Sequence, residues 1–264
     1  MSLQYHVKLA EGDVAPSVLL PGDPGRVAVI ASAWDEAREV ASNREYVTYT
    51  GTYRGTPISC TSTGIGAPST AIAIEELARI GARTFLRIGT CGAMQPEVRV
   101  GDAAIFDSAV RADGASALYA PIEFPAVAHH EVLEAAIAAA SDLGLRHHVG
   151  TTFSTDLFYV PAPGFAFGGF EQSAWRERFE DIERTRVLTA EMETGALLVL
   201  ARIWGLRAGA IALVSDDATE TSASGEWDPQ ASFHVERESL LRLARLGCET
   251  VRILGELDRE RAGE

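Results

Sequence analysis

Short β-branched runs alternate with stretches of helical spacing along the chain, the rhythm of a sheet that carries helices on its faces. Residues 17–20 are predicted to form a strand, Pro21-Gly22-Asp23-Pro24-Gly25 a turn, and residues 26–34 a helix. Residues 46–53 alternate like a half-buried strand, and 57–63 follow across a turn at Gly55. Over 69–80 the spacing predicts a helix with Ile72, Leu77 and Ile80 on one side and Glu75, Glu76 and Arg79 mostly on the other. Strands are also expected over 84–88, 103–110, 148–153 and 208–214. Helices are expected over 129–143 and 192–204, with a long closing helix over 233–257 whose polar end frays. With no internal repeat, low-complexity tract or linker-like stretch, a single α/β domain spanning residues 1–264 is the simplest reading.

Composition narrows the partners. The chain has 264 residues, 47% hydrophobic and 23% charged, which suits a globular protein able to bury a sizeable core. Its 23 Lys and Arg face 37 Asp and Glu, a formal charge of −14. So acidic a surface repels nucleic acid and anionic membranes, so neither is expected as a partner, and a phosphate-bearing ligand needs a local basic pocket. Cys60, Cys91 and Cys248 are scattered and odd in number, which argues against a disulfide framework or zinc site and for a reducing compartment. The N-terminus lacks the apolar core of a signal peptide. The longest apolar run, 196–214, is broken by Arg202 and Arg207 and reads as a buried helix then strand rather than a membrane span. A soluble cytoplasmic protein is expected.

Three strand-to-glycine junctions carry candidate chemistry: Leu20-Pro21-Gly22-Asp23-Pro24-Gly25-Arg26, Arg87-Ile88-Gly89-Thr90-Cys91-Gly92 and Ser62-Thr63-Gly64-Ile65-Gly66-Ala67-Pro68-Ser69. Glycines at strand ends let backbone N–H groups approach an oxyanion, and a following helix adds its positive end. Arg26 and Arg87 offer forked donors and Thr90 a hydroxyl. Arg87 is the more telling, since an arginine inside an apolar strand needs a partner. Ser69 is expected to cap the helix that follows it. Neither of the first two loops has the spacing of a nucleotide-binding P-loop or a dinucleotide fingerprint. Between Val160 and Trp175, a loop with Pro161, Pro163, Phe165, Phe167 and Phe170 is expected to pack over a pocket or another subunit, since exposed Phe is a liability.

Residues 62–77, STGIGAPSTAIAIEEL, resemble the signature stretch of the uridine phosphorylase/purine nucleoside phosphorylase family. PGDPGR, RIGTCGAMQP, DGAS with YAPIEFPAVA, and EMETGALL follow in the family's order, and the resemblance is nearest to the bacterial uridine phosphorylases. It implies a three-layer α/β/α sandwich around a mixed, barrel-like central sheet, assembled as dimers or as a hexamer of three dimers. It implies phosphorolysis of a nucleoside to a free base and a sugar 1-phosphate, with inorganic phosphate as co-substrate and no metal or organic cofactor. By matching motif, Gly22, Arg26, Arg87 and Thr90 would bind phosphate, and Arg44 would reach a neighbour's phosphate site. His6 would serve a ribose across the dimer, and Met192 and Glu193 would grip the ribose, with Phe158 in the nucleoside pocket. A carboxylate such as Glu193 can accept from both the 2′- and 3′-hydroxyls. From the residues alone, Glu191 and Glu193 read as helix N-terminal charges. Glu45, Ile65 and Ser69 match a monovalent-cation (K+) site that some members form between subunits.

The pattern breaks at the base. Uridine phosphorylases follow the Phe-Tyr pair with a Gln and an Arg that bind uracil. Here Phe158-Tyr159 is followed by Ala162 and Gly164 at those positions, and the second uracil-side arginine is replaced by Val214-Ser215-Asp216-Asp217. The Ser-Asp pair resembles the purine branch, where the aspartate protonates N7 of the leaving base; the assisting arginine is missing, as no arginine occurs between Arg207 and Arg237. The alternative is that Asp216 and Asp217 cap a loop after the strand. A strict uridine phosphorylase, a nucleosidase and a non-catalytic nucleoside-binding protein stand as alternatives.

Overall fold

The computed structural model describes residues 3–159, 166–170, 172–217 and 237–263. Among them, ten strands form one sheet: β1 (Ser17–Leu20), β2 (Glu36–Asn43), β3 (Tyr46–Tyr53), β4 (Thr56–Thr61), β5 (Thr84–Ala93), β6 (Ala103–Ala112), β7 (Ala126–Val127), β8 (His147–Thr155), β9 (Thr189–Glu191) and β10 (Arg207–Asp217). The helices are α1 (Gly25–Ala31), α2 (Ala67–Arg79), α3 (Gly114–Tyr119), α4 (His130–Asp142), α5 (Ser173–Arg184), α6 (Thr194–Ile203) and α7 (Arg237–Ala262). Strands β10, β6, β8, β9 and β5 follow one another, and β10 also pairs with β5, closing the five into a barrel. From β5 the sheet runs on through β1, β4 and β3 to β2. Pairing is mixed: β5 is parallel to β1 and β10 and antiparallel to β9.

Alternation along β5 sets the position of the site. Leu86 and Ile88 point into a core shared with Leu19, Ile58 and Ile211 and covered by Val27 of α1, Val132 of α4 and Leu246 of α7. Phe85 points the other way, with Val18 and Leu20, under Ile74 and Leu77 of α2 and Leu197 of α6. Each such buried Leu, Ile or Phe contributes about 1.5–3 kcal/mol, which fixes the register. Helices thus cover both faces, as the family resemblance implies. Arg87, between Leu86 and Ile88, falls on the α2/α6 side. Beyond it, Cys91 and Ala93 enter a barrel interior filled by Ala104, Phe106, Ala210, Ala212 and Val214.

Several elements differ from the expectation. β2, Glu-Ala-Arg-Glu-Val-Ala-Ser-Asn, was not foreseen; it is a largely exposed edge strand whose polar residues hide its pairing with β3. Helix α2 starts at Ala67, with Gly66 at the cap and Pro68 in the first turn. Ser69 is therefore inside the helix, and its Oγ donates back to the carbonyls of Ile65 and Gly66 instead of capping. Glu76, placed on the polar side by its spacing, is buried. The strand predicted to end at Val214 runs on to Asp217, so Asp216 belongs to β10 and not to a loop after it. The closing helix continues to Ala262 without fraying at 257, and its expected start at 233–236 lies outside the described residues. Of the Phe-rich loop, 160–165 and 171 lie outside the described residues, and α5 begins within its predicted span. Phe167 and Phe170 are exposed in the single chain, rather than packed over a pocket of it. No described helix is long and apolar enough to cross a membrane.

Candidate active site

Strand β1 stops at Leu20, opposite Arg87, and β9 joins β5 only at Gly92. Between those points one edge of β5, around Gly89 and Thr90, has no strand partner among the described residues, a gap in the sheet at the carboxyl end of β1, the place where ligands enter open α/β sheets. Two loops line it. The Thr63 N–H donates to the Pro21 carbonyl and the Gly64 N–H to the Gly22 carbonyl, each at 2.9 Å. The approach is close: a Cβ on Gly22 would lie 3.2 Å from the Gly64 oxygen.

Two of the predicted phosphate arginines are near enough to feel each other's charge. Arg26, in the first turn of α1, has its Nε 3.8 Å from an Asp23 carboxylate oxygen. Burial lowers its pKa, Asp23 opposes the shift, and the positive charge of Arg87 adds to it. Arg87 is buried, as its apolar surroundings require, and has two partners. Its Nε donates to Glu191 Oε2 at 2.9 Å, and its Nη2 lies 2.5 Å from Glu193 Oε2. Burial works against its charge, but Glu193 and Glu191 outweigh burial and raise its pKa. Gly89 makes room for this guanidinium, since a Cβ there would lie 2.7 Å from Nη2. Thr90 is half-buried farther along β5, and Arg26 shares a small cavity with Ile88 on the α1 side.

Glu193 stands at the N-terminus of α6, and its Oε1 accepts from the Gly66 N–H at 2.6 Å. It thereby joins α6, α2 and β5. Burial raises its pKa; Arg87 opposes this and Glu191 reinforces it. Met192, beside it, is half-buried. Glu191, at the end of β9, is the residue that sequence reasoning cast only as a helix-terminal charge. It does accept from the Glu193 and Thr194 N–H groups, but it also holds Arg87, a partner that no local pattern discloses.

His6 and Arg44 lie together, away from the Arg87 pair in sequence and element. The Asn43 side chain donates to the His6 carbonyl at 2.7 Å, and Arg44 is exposed at the tip of the β2–β3 hairpin. Arg44 has φ 56°, a left-handed backbone that costs a non-glycine residue about 1–2 kcal/mol. His6 Nδ1 lies 2.8 Å from Glu76 Oε1, and the same carboxylate accepts the His6 and Val7 N–H groups, so buried Glu76 pins the N-terminal segment onto α2. Glu45 packs over Gly64, where a Cβ would meet its Cγ at 2.9 Å and Ser69 Oγ at 3.4 Å; Ile65 is exposed.

On the barrel side, Asp216 pairs in register with Gly92 of β5, just past an irregularity after Val214. Ser215 Oγ donates to Asp216 Oδ1 at 2.8 Å and to the Cys91 carbonyl at 3.3 Å. Phe158 and Tyr159 follow β8 as an edge-to-face pair, ring centres 5.0 Å apart. Ala162 and Gly164 lie outside the described residues.

The sequence profile of the phosphorylase superfamily matches residues 16–250. The chain is 48% identical to a uridine phosphorylase of Thermococcus kodakarensis, covering 99% of this chain and 91% of that protein. It is 42% identical to the uridine phosphorylase of Escherichia coli (82% and 87%) and 40% identical to a guanosine phosphorylase of Halorubrum lacusprofundi (90% and 95%). The chain belongs to the phosphorylase superfamily. It is an enzyme of that superfamily, and relatives named uridine phosphorylase and guanosine phosphorylase match it over most of their length.

Proposed function

We propose that the chain is a nucleoside phosphorylase that joins a nucleoside and inorganic phosphate to give the free base and (deoxy)ribose 1-phosphate. The observation that carries this reading is the buried Arg87–Glu193 pair: a guanidinium suited to an anion and a carboxylate suited to hydroxyls, 2.5 Å apart, beside the gap in the sheet at β5. A phosphate oxygen forms the new bond to C1′ as the C1′–N bond breaks and its electron pair leaves with the base. The sugar passes through an oxocarbenium-like state, so the protein's work is positioning and charge stabilisation. In this reading Gly22, Arg26, Arg87 and Thr90 bind phosphate, with Arg44 reaching a neighbour's site. Met192 and Glu193 hold the ribose, and His6 serves the ribose of the partner. A nucleosidase has less use for arginines gathered on an anion.

The base pocket is altered, in our reading, toward purines. Phe158 lines it, Ala162 and Gly164 cannot make the uracil bonds, and Asp216 protonates N7 of the leaving purine, oriented by the Ser215 hydroxyl. The guanosine phosphorylase among the relatives supports this. A strict uridine phosphorylase is the second reading, favoured by the names of the other relatives. Phosphate-dependent base release from uridine, thymidine, inosine, adenosine, guanosine and methylthioadenosine decides between them. Purine cleavage supports the first, and cleavage of uridine and thymidine alone overturns it.

Further parts of the proposal concern assembly. One domain assembles as dimers or a hexamer in the cytoplasm, where three buried free thiols suit a reducing compartment. Glu45 packs over Gly64 beside Ser69, whose hydroxyl donates to the Ile65 carbonyl, and in our reading oxygens of these three residues hold a hard cation such as K+ between subunits. No step of the reaction uses that ion.

A further inference from the structure

Glu191 plays no part in the mechanism above, yet its side chain is only 1% exposed and its carboxylate is fully engaged. Oε2 accepts from Arg87 Nε at 2.9 Å, from the Glu193 N–H at 2.9 Å and from the Thr194 N–H at 3.0 Å. It thus ties the guanidinium to the first turn of α6, the turn that also presents Glu193. Arginine has two forks of donors, one along its side (Nε and one Nη) and one at its end (the two Nη). Glu191 and Glu193 divide the side fork between them, at Nε and Nη2, and neither takes Nη1. Among the described residues no bond engages Nη1, so the end of the guanidinium can meet an anion, and rotation about the Cδ–Nε bond is stopped from two directions.

We infer that Glu191 is a positioning residue: it fixes the plane of Arg87 so that the end of the guanidinium meets phosphate, without itself touching substrate. This inference rests on the nucleoside phosphorylase reading. Groups held in place by buried hydrogen-bonded partners perform better than free ones, because no reorganisation is needed when the ligand arrives. The competing role is a plain helix cap, since Glu191 also accepts the Glu193 and Thr194 N–H groups.

Two variants separate these roles. Glu191→Gln keeps a carbonyl able to cap α6 but removes the charge. Glu191→Asp keeps a charged capping side chain but withdraws it from Arg87 by one methylene. Inorganic phosphate is titrated calorimetrically into each full-length variant, and KM is measured separately for phosphate and nucleoside. Phosphate Kd and KM are expected to rise about ten-fold or more while the nucleoside KM stays within about two-fold, as expected when Arg87 loses its fixed plane and one of its charge-assisted contacts to phosphate is weakened. If the Gln variant fails to fold, the Asp variant carries the test alone. Phosphate affinity unchanged in a folded variant, or equal rises in both KM values, overturns the inference. Should the parent protein bind phosphate but show no phosphate-dependent turnover, and the variants still lose that binding, the phosphorylase reading falls and the positioning role stands.

Discussion

Arg87 Nη2 lies 2.5 Å from Glu193 Oε2, with both side chains nearly sealed from solvent. The one residue comes from the middle of β5 and the other from the start of α6. Under the proposed roles, their meeting would tie anion binding to sugar binding in a single buried contact.

Replacing Arg87 with Ala removes the proposed phosphate donor and leaves the buried carboxylates of Glu191 and Glu193 without their cation. Phosphate-dependent kcat/KM is expected to fall about 1000-fold, on the scale of losing a preorganised donor to a charged transition state. Stability is expected to drop by about 3–5 kcal/mol, the cost of stranding a buried charge. Steady-state assay and urea unfolding check the two effects, and full activity in Arg87→Ala refutes the phosphate role.

Gly89→Ala tests the same guanidinium from its other side. The new Cβ would lie 2.7 Å from Nη2 and 2.8 Å from Cζ, so Arg87 must shift while the backbone of β5 remains acceptable for Ala. A phosphate KM raised about ten-fold or more is expected, since small misplacements of a positioned group are costly. A KM unchanged in the folded variant would show that this contact does not orient Arg87.

The pH dependence follows from Glu193. Burial raises its pKa above the ordinary glutamate value, against the pull of Arg87. Protonation turns one carboxyl oxygen into a donor and removes the charge that strengthens both hydroxyl bonds, so kcat/KM should fall on the acid side with a midpoint above that ordinary value. Stability moves the other way: the folded state binds this proton more tightly than the unfolded one, so protonation in that window favours folding. Activity should therefore vanish before circular dichroism reports unfolding, and Glu193→Gln should abolish the limb. An acid midpoint at or below the ordinary value contradicts the assignment.

Asp216→Asn keeps the hydrogen bond from Ser215 but cannot supply an acidic proton. Purine cleavage is expected to fall about 100-fold or more, in the range of general acid catalysis, with any uridine cleavage much less affected. Equal losses on both substrates would remove Asp216 from the acid's role.

Much of this was legible in the sequence because it is local. An arginine in an apolar strand signalled a buried partner, and the glycine junctions signalled the gap where β1 stops. The edge strand β2 and the three-residue β9 were not, since one is largely exposed with only Val40 and Ala41 packed against the core and the other is too short to show a period. Glu191 was read as half of what it is, because the cap is written in its neighbours and the bond to Arg87 depends on how distant strands pair. Ser69 misled for a related reason: Gly66 takes the cap position, its N–H held by Glu193 on another helix.

In the proposed reaction phosphate, not water, takes the sugar. The most direct measurement follows base release from nucleosides with and without inorganic phosphate and identifies the sugar product by phosphorus NMR. Base released only with phosphate, matched mole for mole by a sugar 1-phosphate, is the predicted result. Equal release without phosphate, yielding free sugar, would contradict the account.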